Sequence, residues 1–161
     1  MTIAVCAALA APATAVDLPK RKPGLWEVVT AHGGGAPGPK AQLCIDAKTD
    51  DLAQQLAAGA VSCSRQDVRR DGERFVAEST CQIGESVATT KMVFSGRFDS
   101  AYEVDIEAKY APPLMGMGEG RSTVKARWLG ACRPGQRPGD VMLPDGTILN
   151  LQDAPPRPPK R

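Results

Sequence analysis

Five cysteines, five methionines and a single histidine are the side chains of this 161-residue sequence with the most chemistry to offer. Cys44, Cys63, Cys81 and Cys132 stand far apart, and no C-x-x-C occurs. A zinc centre or a redox-active dithiol would want that short spacing. The only histidine, His32, precedes Gly33-Gly-Gly35 in what reads as a flexible loop. A general base held so loosely is a poor catalyst, so His32 is read as a solvated loop residue. The same glycines lack the strand–loop–helix setting that phosphate binding needs. Catalysis is not expected, and neither is a cofactor.

Two further groups invite a chemical reading. Glu103, Asp105 and Glu107 alternate with apolar residues beside basic ones, the pattern of a solvated sheet face and not of a catalytic carboxylate pair. Met115 and Met117, in Pro112-Pro-Leu-Met-Gly-Met117, offer thioethers of the kind that bind soft Cu(I). Without a histidine or cysteine close in sequence they make a poor site. Methionine also fills irregular gaps and covers apolar surfaces. Loop packing is therefore the first reading of the pair, contact with a hydrophobic partner the second, and metal the third.

The state of the thiols depends on compartment. Residues 1–15 carry no charge and end in Ala13-Thr-Ala15, an apolar segment with small residues where signal peptidase cuts. They read as a secretory signal peptide. The usual basic leader is missing, as a start placed downstream of the true one would leave it. The alternatives are a buried N-terminal helix, or lipidation at Cys6, which the bulk of Val5 disfavours. The segment is shorter than the roughly 20 apolar residues a membrane-spanning helix needs. Its removal takes Cys6 and leaves four cysteines, hence two disulfides with three possible connectivities. The pairing favoured is Cys44–Cys63, clipping a local helix to the next strand, with Cys81–Cys132 tying the sheet's start to its end.

The elements that must carry these residues read as β almost throughout. Sixteen glycines, 14 prolines and 4% aromatics favour turns and short strands over a helical bundle. Residues 24–30 alternate as a strand, 40–46 form a short second one, and 49–59 are the one convincing helix. Thr49 or Asp50 would cap that helix and Gly59 would close it. From Cys63 onward come strands at 65–70, a hairpin signal at Asp71-Gly72, and strands at 75–81 and 87–94. The clearest run places Tyr102, Val104, Ile106, Ala108 and Tyr110 on a dry face, with Glu103, Asp105, Glu107 and Lys109 on a wet one. Val124, Ala126 and Trp128 repeat it. If the two strands pair across a loop at 111–120, acids of one meet bases of the other. A small terminal hairpin around Asp145-Gly146 is followed by a Pro-rich basic tail.

An ordered set of short motifs carries a resemblance. Lys22-Pro-Gly-Leu-Trp-Glu27, Leu43-Cys-Ile-Asp46, Cys63-Ser-Arg65, Pro112-Pro-Leu-Met-Gly-Met117 and Trp128-Leu-Gly-Ala-Cys132, with Pro-Gly-Asp140 beyond, resemble an uncharacterised exported bacterial family, domain of unknown function number thirty-six seventeen. The likeness covers about residues 18–152. It implies export and the four cysteines, and brings no activity, substrate or site residue.

The expectation is a signal peptide at 1–15, one domain at 16–152 and a disordered tail at 153–161. The domain is mainly β: a single antiparallel, curved sheet of about six or seven strands, either open or a half-barrel in outline, with one short α-helix. The net charge of +2 resides in the tail, where Arg157, Lys160 and Arg161 oppose Asp153. A neutral body gives no electrostatic footprint for nucleic acid. The function expected is non-catalytic binding in the cell envelope. Met92, Phe94, Tyr102, Tyr110 and Trp128 would line a dry face for an apolar ligand, such as lipid, or a protein partner. The alternative is a structural or assembly factor docking through an edge strand or the tail.

Overall fold

The computed structural model describes residues 16–51 and 62–153. The proposed signal peptide, nearly all of the proposed helix, and the tail after Asp153 lie outside those residues. Nine strands are present: β1 (Gly24–His32), β2 (Lys40–Ile45), β3 (Ser62–Asp71), β4 (Arg74–Ile83), β5 (Ser86–Arg97), β6 (Ala101–Leu114), β7 (Met117–Gly130), β8 (Asp140–Met142) and β9 (Ile148–Asn150). They form one antiparallel sheet in the order β3-β4-β5-β6-β7-β1-β2-β8-β9, which is not closed. No helix occurs among the described residues.

Strands β3 to β7 form a meander, and glycine places its first two turns. The β3–β4 turn falls on Gly72-Glu73 and the β4–β5 turn on Gly84-Glu85, with φ of 62° at Gly72 and 59° at Gly84. Only glycine adopts that left-handed region without steric cost. The dry and wet faces follow the alternation. Tyr102, Val104 and Ala108 are buried while Asp105, Glu107 and Lys109 are exposed. Across the β6–β7 ladder, Glu103 meets Lys125 at 3.3 Å, Glu107 meets Arg121 at 3.5 Å, and the Thr123 hydroxyl donates to Asp105 at 2.9 Å. Exposed pairs of this kind contribute about 0–1 kcal/mol each and act mainly on register.

Two features depart from the sequence reading. The strand count rises from six or seven to nine because the small hairpin expected around Asp145-Gly146 forms as β8 and β9 and joins the same sheet beside β2. Residues 111–120 are not a loop. β6 and β7 continue to a turn at Met115-Gly116, with φ of 51° and 83°. Pro112 and Pro113 are tolerated because the ladder is interrupted there, between Lys109 and Leu114, so no strand hydrogen bond is forfeited.

The disulfides are Cys44–Cys132 and Cys63–Cys81, not the pairing favoured from sequence. Cys63 lies directly opposite Cys81 in the β3–β4 ladder, after a bulge at Ser64. Cys44 reaches Cys132 because β1 is inserted between β7 and β2, with Leu25 paired to Cys44 on one side and to Gly130 on the other. Closing loops with separations of 18 and 88 residues stabilises by about 3 and about 4.5 kcal/mol in the chain-entropy picture.

The core gathers Trp26, Leu43, Ile45, Ala77, Phe94, Tyr102, Val104 and Ala126, drawn from six strands. The polar lead-in before β1 is part of it: Leu18 packs against the cluster. Two indoles stitch the lead-in down, Trp26 Nε1 donating to the Lys22 carbonyl at 2.8 Å and Trp128 Nε1 to that of Pro23 at 3.1 Å. The Lys22 ammonium lies 3.7 Å from the centre of a Trp128 ring.

Candidate functional site

The five residues proposed to line an apolar pocket share the dry face of β5, β6 and β7, but most of them are already occupied. Phe94 is 0% exposed and Tyr102 is buried, both inside the core cluster. Tyr102 is flanked by Trp26, with ring centroids 5.5 Å apart, and stacks on Phe98 at 5.0 Å. Phe75 meets Phe98 edge-on at 6.2 Å. Met92 and Trp128 are half-buried and pack against the cluster. Tyr110, also half-buried, lies toward the far end of β6, opposite Ala88. The lead-in and the Phe98 turn thus fill one end of the face with aromatic contacts.

Sequence reading missed what anchors that end. Arg21 and Asp50 form a buried ion pair, Nε to Oδ1 at 2.7 Å, with side chains 2% and 1% exposed. The Arg21 backbone N–H donates to the other carboxylate oxygen, and Arg21 Nη1 donates to the Tyr102 hydroxyl at 3.2 Å. Burial pushes the Tyr102 pKa up, with the Arg21 charge and hydrogen bond opposing. Asp50 latches the lead-in to the turn after β2; nearly all of the helix it was expected to cap lies outside the described residues. That turn is built by Asp46, whose Oδ1 accepts the Lys48 and Thr49 backbone N–H groups. The signal available was a basic run, Lys20-Arg-Lys22, placed just before an apolar strand.

His32 is exposed at the last position of β1, opposite Ser122, and not within the glycine loop. Among the described residues no group of three or more His, Cys, Asp or Glu could hold a metal ion. The wet face carries a depression of about 430 Å³ floored by Gly96 and Ala101 and walled by Glu27, Glu103, Lys125 and Arg127. Its charges are paired internally. Arg127 lies 3.0 Å and Lys40 3.5 Å from Glu27 Oε1. Partial burial raises the Glu27 pKa, but these two cations outweigh it and hold the carboxyl below its usual range.

The least satisfied apolar surface is elsewhere. β5 accompanies β6 only as far as Ala111, opposite Val87, and β1 accompanies β7 only back to Ser122, opposite His32. β7 therefore runs past the end of β1 by residues 117–121, roughly 15 Å at about 3.4 Å per residue, whereas β6 outruns β5 only by its last three residues; the hairpin's end, residues 112–117, projects as a short two-stranded arm. Its tip exposes Met115 by 92% and Met117 by 57%. The loop packing expected of these two methionines is therefore not what they do.

The family model for a protein of unknown function, DUF3617, matches residues 21–132, more than two thirds of the chain. The chain is a DUF3617 protein. No curated protein and no solved structure matches it. The DUF3617 segment begins at Arg21 and ends at Cys132, so it takes in the latch, the arm and both disulfides. It is shorter than the stretch of resemblance read from motifs, and the β8–β9 hairpin of this DUF3617 protein lies beyond it.

Proposed function

We propose that this is a non-catalytic, exported protein of the cell envelope that holds a protein partner through the β6–β7 arm. The observation that carries the reading is the exposure of Met115 and Met117 at the tip of a hairpin that outruns its neighbours. An exposed apolar projection on a folded domain marks an interaction surface. A protein groove fits it better than a lipid surface. Glu107 pairs with Arg121 and Lys109 faces Glu119 across the arm's base, so its charges cancel and form no basic cluster for anionic lipid. A finger this narrow approaches the roughly 800 Å² per partner of a stable complex only when received in a groove. Unbranched thioethers adapt well to such a receiver. Export is supported by the uncharged apolar segment ending at Ala13-Thr-Ala15, and by two disulfides. No helix among the described residues is long and apolar enough to cross a membrane.

The test is site-specific photo-crosslinking in the producing cell, with the probe at Leu114 beside the tip or, as control, at Glu73 in the β3–β4 turn. One discrete adduct from position 114, lost in Met115→Ser/Met117→Ser without change in thermal stability, supports the reading. Identical adducts from both positions, or none from 114, overturn it. A mature mass beginning at Val16 and thiols unreactive to alkylation test export in the same preparation.

A second reading, an apolar ligand on the dry face, draws on Met92, Ile106 and Tyr110, which stay half-buried beyond the filled aromatic end. Native mass spectrometry of gently purified protein would reveal co-purifying lipid, and its absence would remove this reading. Copper(I) held by Met115 and Met117 is a third reading, in which a solvent-exposed turn contributes two soft ligands.

A further inference from the structure

We propose that Met115 and Met117 are a paired sulfoxidation site, whose oxidation makes the arm's tip polar and leaves the fold intact. The reaction needs only a two-electron oxidant of the hydroperoxide class. The thioether sulfur attacks the terminal peroxide oxygen, the O–O bond breaks, and sulfur gains one oxygen as sulfoxide while hydrogen peroxide leaves as water. Sulfur is oxidised, peroxide is reduced, and no other reactant is required.

Selectivity follows from position. Met115 and Met117 are 92% and 57% exposed, so a peroxide can approach either sulfur. The other described methionines, Met92 and Met142, are half-buried. Met92 packs against the core cluster, where a polar oxygen would have to displace apolar contacts. At the arm's tip the added oxygen meets water. The Leu114–Met117 pairing that closes the turn is made by backbone groups, which the oxidation does not touch. An apolar thioether becomes a polar, chiral sulfoxide, and an apolar groove that received it would lose its contact. That last consequence rests on the docking reading above.

Hydrogen peroxide titration of the purified, disulfide-intact protein tests the site, read by peptide mass spectrometry and thermal unfolding. Met115 and Met117 are expected to oxidise at least about tenfold faster than Met92 and Met142, with the melting temperature unchanged after both have reacted. Oxidation of Met92 or Met142 at a matching rate, or unfolding in step with oxidation at 115 and 117, overturns the proposal. Met115→Leu/Met117→Leu separates the two ideas, because it keeps the tip apolar and resists peroxide. If peroxide abolishes the position-114 adduct in the wild type while the same adduct survives peroxide in the Leu variant, both stand. Selective sulfoxidation with no adduct in any form would sink the docking reading alone.

Discussion

Removing the two disulfides one at a time should destabilise this protein unequally. Cys44→Ala/Cys132→Ala opens a loop with a separation of 88 residues, and Cys63→Ala/Cys81→Ala one of 18. The chain-entropy relation gives losses of about 4.5 and about 3 kcal/mol. Packing leaves that order in place, because each bond has one buried cysteine, Cys44 or Cys81, and one half-buried partner. Against a total stability of about 5–15 kcal/mol, the first variant approaches the limit of folding and the second keeps a measurable transition. Urea unfolding at equilibrium reads both, provided the slope with denaturant is shared. A non-reducing tryptic digest checks the premise: peptide 41–48 should be linked to the one beginning at Trp128, and peptide 49–65 to 75–91. A link between 41–48 and 49–65 would refute the topology argument. Equal losses, or a greater loss from the short loop, would refute the energetic one.

Asp50→Ala should cost about 3–5 kcal/mol, since it removes the carboxylate of a buried ion pair; Arg21→Met/Asp50→Leu should recover much of it in the same unfolding assay, and a single-site loss under 1 kcal/mol would mean that the latch is not structural. Gly96→Ala should destabilise by about 1–3 kcal/mol, because φ is 98° there and an added Cβ would sit 2.7 Å from the Ala101 carbonyl oxygen; an unchanged denaturation midpoint would contradict that geometry. Asp46 is held below its usual pKa chiefly by the Thr49 backbone N–H, against partial burial, and Asp140 by the Arg137 backbone N–H and then the Asn150 side chain. Their stabilisation is therefore full above the ordinary carboxylate value of about 4 and is lost as pH falls through the depressed folded values. Asp140→Asn should lower the melting temperature at neutral pH and flatten its decline in acid, and an unchanged acid slope would remove Asp140 from the account.

What the sequence disclosed is what adjacent residues dictate. The period-two run at 102–110 named the dry face correctly, and the acids and bases of β6 and β7 met as alternation implied. The Asp71-Gly72 signal marked the β3–β4 hairpin. The disulfides show where local reading stops. Counting back from the Asp71–Arg74 pair, an unbroken ladder would set Cys63 against Gln82; the bulge at Ser64 moves it by one residue to Cys81. A one-residue slip reverses every side chain, and nothing in Ser64 itself announces a bulge. The Cys44–Cys132 bond needed the knowledge that β1 returns to lie beside β7, a long-range pairing that no local pattern encodes.

The candidate site was less legible for a related reason. An arm is a difference in length between paired strands, and so depends on where the neighbours stop as much as on its own residues. Pro112-Pro113 read as a loop because prolines are penalised inside a sheet, yet that penalty vanishes where the ladder is already interrupted and β5 has ended at Val87 and Ser86. In the same way, nothing in Lys20-Arg-Lys22 announces a buried charge, because charge is costly to bury and Arg21 escapes that cost only through a carboxylate 29 residues away. The aromatic end of the dry face is closed, latched by a buried ion pair, while apolar side chains expected to pack inside a loop stand in solvent. That exchange moves the weight of a binding reading from the pocket to the arm, and leaves Met115 and Met117 as the side chains on which it depends.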